Sequence, residues 1–178
     1  MRHHHLAVTL LAATLLAGCN PTYNWRDYSS PDAPYRVMFP AKPASHTRSV
    51  DLNGSKVEMT MTAAEVEGVM FAVGTGLAAD PAAAQAAVDA MKTAMLRNIN
   101  ATVQRESASA SAASSGSPES ARKRIDIDAT GPGKAGPMKL SAHFESRGKR
   151  FYQVIVLGQE KAVPPEQSEQ FMKSFTLL

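Results

Sequence analysis

Apolar and polar positions alternate with a period of two over most of this chain, and two segments switch to helical spacing. Tyr35–Phe39 (YRVMF) puts Tyr35, Val37 and Phe39 on one face and stops at Pro40, which predicts a short strand. His46–Leu52 predicts a second strand. Asn53-Gly54 follows, a dipeptide that accepts the positive φ of a type I′ turn, so the chain should reverse into a hairpin. On the return strand Val57, Met59, Met61 and Ala63 share one face, and Glu58, Thr60 and Thr62 share the other. Glu67-Gly68 turns the chain again, and Val69, Phe71 and Val73 open a fourth strand that runs towards Leu77.

Asp80-Pro81 is a helix start, with Asp as the capping acceptor and Pro where the helix needs no N–H. Ala84, Val88, Met91, Met95 and Ile99 then recur every three or four residues, an apolar stripe suited to packing on a sheet. The helix should end between Asn98 and Asn100. Ser107–Ser120 (SASASAASSGSPES) is small, polar and almost uncharged. It has too little apolar area to offset the entropy of ordering, which predicts a flexible surface loop over 107–120.

Three further strands follow. Arg122–Ala129 carries Ile125 and Ile127 inward. Met138, Leu140, Ala142 and Phe144 alternate on the next. Phe151–Leu157 (FYQVIVL) is apolar on both faces apart from Gln153, the pattern of a central strand covered on both sides. Pro164-Pro165 opens a last helix with Phe171 and Phe175 on one face. Strands grouped into antiparallel runs with separate helices predict an α+β fold: an antiparallel sheet of about six or seven strands covered by two helices.

The N-terminus changes the picture of where such a domain works. Arg2 precedes an uncharged apolar run, Leu6–Leu16, and His3, His4 and His5 belong to the same leading segment. The run is too short to cross a bilayer, which takes about 20 residues, and suits the core of a secretory signal. It ends in Leu16-Ala17-Gly18-Cys19, and Cys19 is the only cysteine in the 178-residue chain. This arrangement resembles a bacterial lipobox. The resemblance implies a lipoprotein signal peptide over 1–18, cleavage before Cys19 and acylation of the Cys19 sulfur, with a plain signal peptide and an incidental cysteine as the alternative. A lone thiol has no disulfide partner in an oxidising compartment, and a lipid-modified thiol needs none. Two acyl chains anchor stably where one is marginal. Asn20, in place of the aspartate that the resembled sorting scheme reads as inner-membrane retention, favours the outer membrane.

Residues 19–34 read as a lipidated N-terminus and tether, and 35–178 as one domain. Within the tether, Tyr23–Tyr28 (YNWRDY) holds the only tryptophan. It reads as an edge strand pinning the tether to the domain, with Trp25 over the core; the alternative is an aromatic contact with lipid headgroups. A domain of this size buries about 70% of the surface of its unfolded chain, so neither disulfide nor metal is needed to hold it. The formal charge of +3 is a small imbalance. Nucleic-acid binding would need a strong basic stripe and a recognisable module, and the sequence has neither.

The segments YRVMFPAKP, RFYQVIVL and FMKSFTLL resemble a diffuse group of bacterial envelope domains. These open with a strand ending in Phe-Pro-x-Lys-Pro and close with a helix carrying a Ser-Phe pair. The NWR after the lipobox is similar to a family of proteobacterial lipoproteins of uncharacterised function. The order of elements resembles the PsbP/Mog1-like α/β/α sandwich. That resemblance implies a binding or assembly factor, not an enzyme. It carries over no functional residue, because the matched positions are packing and turn positions.

Chemistry is sparse in the mature chain. His46 and His143 are its two histidines, and no metal-ligand spacing, P-loop or nucleophile elbow occurs. Gly131–Pro137 (GPGKAGP) has a lysine among glycines but not the spacing of a phosphate loop. Asp126 and Asp128 on one strand face make a weak cation site by themselves. The informative argument is one of register. If 122–129 and 138–147 form a hairpin, inward residues must meet inward residues, because a one-residue slip flips every side chain. Ile125 and Ile127 then face Phe144 and Ala142, Asp126 faces His143, Arg124 faces Glu145 and Arg122 faces Arg147. Arg122, Lys123, Arg147, Lys149 and Arg150 should gather at one end of the sheet, as a contact for anionic lipid or an acidic partner or as a solvated strand end.

The expectation is a non-catalytic, cofactor-free binding or assembly module, anchored to a membrane by lipid and facing the periplasm, with an envelope protein as a possible partner. The alternative is a periplasmic small-molecule or cell-wall-binding protein with a pocket and weak hydrolase activity.

Overall fold

Phe151–Leu157 is apolar on both faces, and in the computed structural model it lies in the middle of a seven-stranded antiparallel sheet. Residues 21–52, 54–112, 117 and 120–178 are described. Residues 1–18, expected to be a signal segment, and Cys19, Asn20 and Asn53 lie outside the described residues, as do 113–116 and 118–119 of the serine-rich stretch. The strands are β1 (Arg26–Ser29), β2 (Tyr35–Phe39), β3 (Ala44–Leu52), β4 (Ser55–Val66) and β5 (Val69–Leu77). After helix α1 (Pro81–Asn98) come β6 (Thr102–Ser111), β7 (Arg122–Gly131), β8 (Met138–Arg147) and β9 (Arg150–Gln159). Helix α2 (Pro165–Ser174) and β10 (Thr176–Leu177) close the chain. The main sheet runs β3-β4-β5-β9-β8-β7-β6, and β1-β2-β10 make a second, small sheet. The fold class is α+β.

The two faces of the main sheet are covered by different layers, each over a different half. On the first face α1 packs on β7, β8 and β9. Its stripe residues Ala84, Val88 and Met91 meet Ile125, Ile127, Ala142, Phe144, Phe151 and Ile155. Asp80 caps the helix by accepting a hydrogen bond from the Ala83 N–H at 2.8 Å. On the second face the small sheet and α2 pack on β4, β5 and β9. Tyr35, Val37, Phe39 and Phe171 there enclose Phe71, Val73, Val154 and Val156. Phe171 is the hub, its ring 5.4 Å from both Phe39 and Phe71. The offset leaves two open quarters. One is the first face of β3 and β4, where Val50, Val57 and Met61 are partly buried. The other is the second face of β6, β7 and β8, which carries charged side chains.

Three expectations change. Tyr35–Phe39 is not part of the main sheet. Its alternation marks a buried face, and that face lies across the main sheet, not in it. Residues 107–111, expected to be loop, form the end of β6, paired from Ser107↔Asp126 to Ser111↔Arg122. Edge-strand pairing draws on backbone hydrogen bonds and needs little side-chain burial, so the composition argument missed it. Arg105 on Asp128, and Lys92 Nζ donating to Glu106 Oε1 at 2.8 Å, tie the start of β6 to the sheet and to α1. The tether expectation over 19–34 shortens in the same way. Arg26–Ser29 pairs with β2, and Trp25, 6.4 Å from the Tyr23 ring, packs against the core as an edge cover should.

Candidate functional site

The hairpin of β7 and β8 has the register expected from the sequence, and it sets inward residues opposite inward residues. Ile125 pairs with Phe144, Ile127 with Ala142, Asp126 with His143, Arg124 with Glu145 and Arg122 with Arg147. Because the apolar partners are buried under α1, the polar partners all point to the open quarter of the second face. There they form a ladder of charges three strands wide.

His143 is the centre of that ladder and only 7% exposed. Its Nδ1 donates to Asp126 Oδ1 at 2.8 Å and its Nε2 donates to Glu145 Oε2 at 3.1 Å. Both ring nitrogens can donate only when the ring is protonated, so this geometry selects the imidazolium. Burial alone pulls the imidazole pKa down, but the hydrogen bonds to Asp126 and Glu145 outweigh it and His143 titrates above its ordinary value. The same bond from His143, joined by Arg124 and opposed by burial, holds Asp126 down at about 2. Arg124 Nε donates to Asp126 Oδ2 at 2.9 Å, and the pair raises the arginine in turn. Asp128 is engaged by Arg105 and by the Ser141 hydroxyl, which donates to it at 2.7 Å. The two aspartates are therefore occupied by protein cations and donors, and among the described residues no group of three or more His, Cys, Asp or Glu is arranged to hold a metal. While it is protonated, His143 has no lone pair free to act as a general base. The ring of Phe175, 5.8 Å away, closes the site from the C-terminal side of α2.

The predicted basic cluster is brought together in part. Arg122 lies opposite Arg147, and Arg147 lies opposite Arg150, so three arginines cross β7, β8 and β9 in one row on the second face. Among the described residues none of the three forms an ion pair with an Asp or Glu side chain. Arg147 Nη1 donates to the Leu178 oxygen at 3.5 Å. Lys149 sits in the turn between β8 and β9 and joins the same recess as Arg147 and Arg150. Lys123 does not belong to the cluster. One residue along from Arg122, it points to the first face, and its Nζ reaches Asp89 Oδ2 of α1 at 2.5 Å. The period of a strand forces that separation, and grouping by sequence proximity overlooked it.

Sequence reasoning also missed the apolar members of the site. A recess of about 380 Å³ is lined by Pro34, Leu77, Arg147, Lys149, Arg150, Tyr152 and Leu178. Leu77 and Leu178, at 57% and 62% exposed, are the exposed large hydrophobic residues among those described. Leu77 could have been found as the outermost residue of the row Phe71, Val73, Thr75, Leu77, opposite Arg150. Nothing local marks Leu178. Tyr152 lies beneath them; burial pushes its hydroxyl up to about 12, although Arg150 and Arg147 pull the other way. Two more recesses, of about 580 and 500 Å³, run between α2 and the charged ladder. No described helix is long and apolar enough to cross a membrane. No protein-family model matches the chain, and no curated protein matches it either.

Proposed function

We propose that this chain is a lipid-anchored envelope protein acting as a non-catalytic binding or assembly module, and that Arg122, Arg147, Lys149 and Arg150 are its contact for an anionic partner. One observation carries the reading. Asp126, Asp128 and Glu145 on the open face are each engaged by a neighbouring cation, whereas among the described residues no Asp or Glu side chain pairs with the row of arginines, and only Arg147 reaches a chain oxygen, that of Leu178. Like charges directly opposite each other on neighbouring strands cost stability. A partner that supplies negative charge would relieve that cost.

The anchor is the lipobox-like cysteine, and Asn20 directs the proposal to the outer membrane, facing the periplasm. The anchor is tested with Cys19→Ser. The variant should lose metabolic labelling by palmitate, stay unprocessed or leave the membrane fraction, and partition out of detergent. Wild-type processing and partitioning in the variant would refute the lipid anchor.

A second reading is favoured by the two recesses beside α2, whose volumes fall within the range of about 300–1,000 Å³ of small-ligand sites. A periplasmic small-molecule or cell-wall-binding protein would use them. Substituting Met172, which borders both, with Trp should then abolish ligand binding while leaving a contact at the arginine row intact.

A further inference from the structure

We infer that the end of the sheet bearing Leu77, Leu178 and the row Arg122–Arg147–Arg150 is a docking surface for an acidic polypeptide segment with apolar anchors, presented away from the membrane that holds the protein. The inference rests on the proposed anchor for its orientation, but not for its chemistry.

The composition of the patch points to polypeptide. Two exposed leucines stand beside four cations in and around one recess, and an apolar centre with arginine around it is the make-up of a protein interface. A polypeptide already runs along part of this end. β10 pairs with β2, and the chain after it brings the Leu178 oxygen to Arg147. An incoming segment with alternating acidic and apolar side chains would place carboxylates on the guanidinium groups, which bind them through two parallel N–H donors, and apolar side chains against Leu77 and Leu178.

Orientation separates this surface from the anchoring bilayer. The chain enters the domain at the other end of the sheet, where the Tyr23 ring stands 6.5 Å from Phe71 and the Asn24 N–H donates to the Pro40 carbonyl at 2.8 Å. Strand β5 runs from Phe71 to Leu77, about 20 Å at the rise of an extended strand. The stretch from Cys19 to Asn24 reaches at most about 18 Å. A lipid on Cys19 therefore draws the Phe71 end to the bilayer and turns the leucine–arginine end into the aqueous space.

The test uses the full-length lipidated protein reconstituted in neutral phosphatidylcholine vesicles. The probe is a fluorescent peptide of alternating Glu and Leu, with a Gln–Leu peptide as control. The Glu–Leu peptide should bind saturably and more weakly as salt rises, and the Gln–Leu peptide should not bind. Affinity should fall about tenfold in the Arg147→Gln/Arg150→Gln double variant, and as far in Leu77→Ser. No saturable binding, or unchanged affinity in both variants, overturns the proposal. The bilayer is examined with Leu77→Cys, whose new thiol is the only free one once Cys19 is acylated, labelled with an environment-sensitive dye. On anionic vesicles containing brominated lipid the dye should stay unquenched, and quenching would make this a headgroup contact instead. If Cys19→Ser shows that no anchor exists, the peptide titration still decides the docking surface, so the two proposals fail separately.

Discussion

Replacing His143 with Gln keeps one N–H donor and roughly the size of the ring while removing the positive charge that joins Asp126 to Glu145. The carboxylate of Asp126 is held at about 2 against an ordinary 3.8. A shift of this size corresponds to about 2.5 kcal/mol. Arg124 supplies part of it, and the Asp126 side chain is 36% exposed, so solvent screening reduces the share that His143 contributes to about 1 kcal/mol. The Glu145 side chain is 17% exposed, and losing its charged donor costs about 1–2 kcal/mol, partly restored by the amide. The expected destabilisation is about 2 kcal/mol in mildly acidic solution, or a Tm lower by about 4–8 °C for a chain of this length.

The pH dependence is the sharper test of this substitution. Because the folded-state pKa of His143 is raised, its contribution is full below the unfolded value of about 6.5 and is lost as pH rises through the folded value. Asp126 is depressed, so its contribution is present above the ordinary 3.8 and lost as pH falls towards about 2. The gap between wild type and His143→Gln should be widest between these limits and shrink in alkaline solution. Urea unfolding followed by far-UV circular dichroism and by fluorescence of Trp25 measures it. A gap that does not change with pH would refute the imidazolium, and a gap below about 0.5 kcal/mol would refute the energetic argument altogether.

Gly76→Ala should destabilise by about 1–3 kcal/mol, measured by the same unfolding curves, because a methyl group there meets the fully buried Phe151 ring and lies 2.9 Å from the Glu58 backbone oxygen. Asp80→Ala removes the acceptor of the Ala83 N–H and should cost about 1 kcal/mol, with Asp80→Asn recovering most of it. Lys123→Gln should cost no more than about 0.5–1 kcal/mol and leave binding of the Glu–Leu peptide unchanged, since its partner Asp89 is half exposed and lies on the opposite face; weakened peptide binding would contradict the assignment of faces.

Local sequence determined a good deal of this protein. The alternation from Tyr35 to Phe39, the start of α1 at Asp80-Pro81 and the doubly apolar run of β9 each depend on neighbours within a few residues, and each was legible. The register of β7 on β8 was legible too, although it is a tertiary fact, because burial of Ile125 and Ile127 excludes every pairing that sets them opposite outward residues, and the expected pairing with Phe144 and Ala142 is the one formed. That pairing places Asp126 beside His143 and Arg122 beside Arg147.

What lies over a strand is another matter. Alternation says that a face is buried, not by which layer, so β2 could be assigned to the wrong sheet. β6 is held by its backbone and by ion pairs at Arg105 and Glu106, and its serines and alanines give no signal of either. The recess at Leu77, Leu178 and the arginines is assembled from β5, β8, β9 and the chain after β10, four segments with no spacing relation in sequence. Only the packing of two layers over opposite halves of one sheet leaves that end open, and with it the doubly bonded His143 and the row of arginines facing one another across β7, β8 and β9.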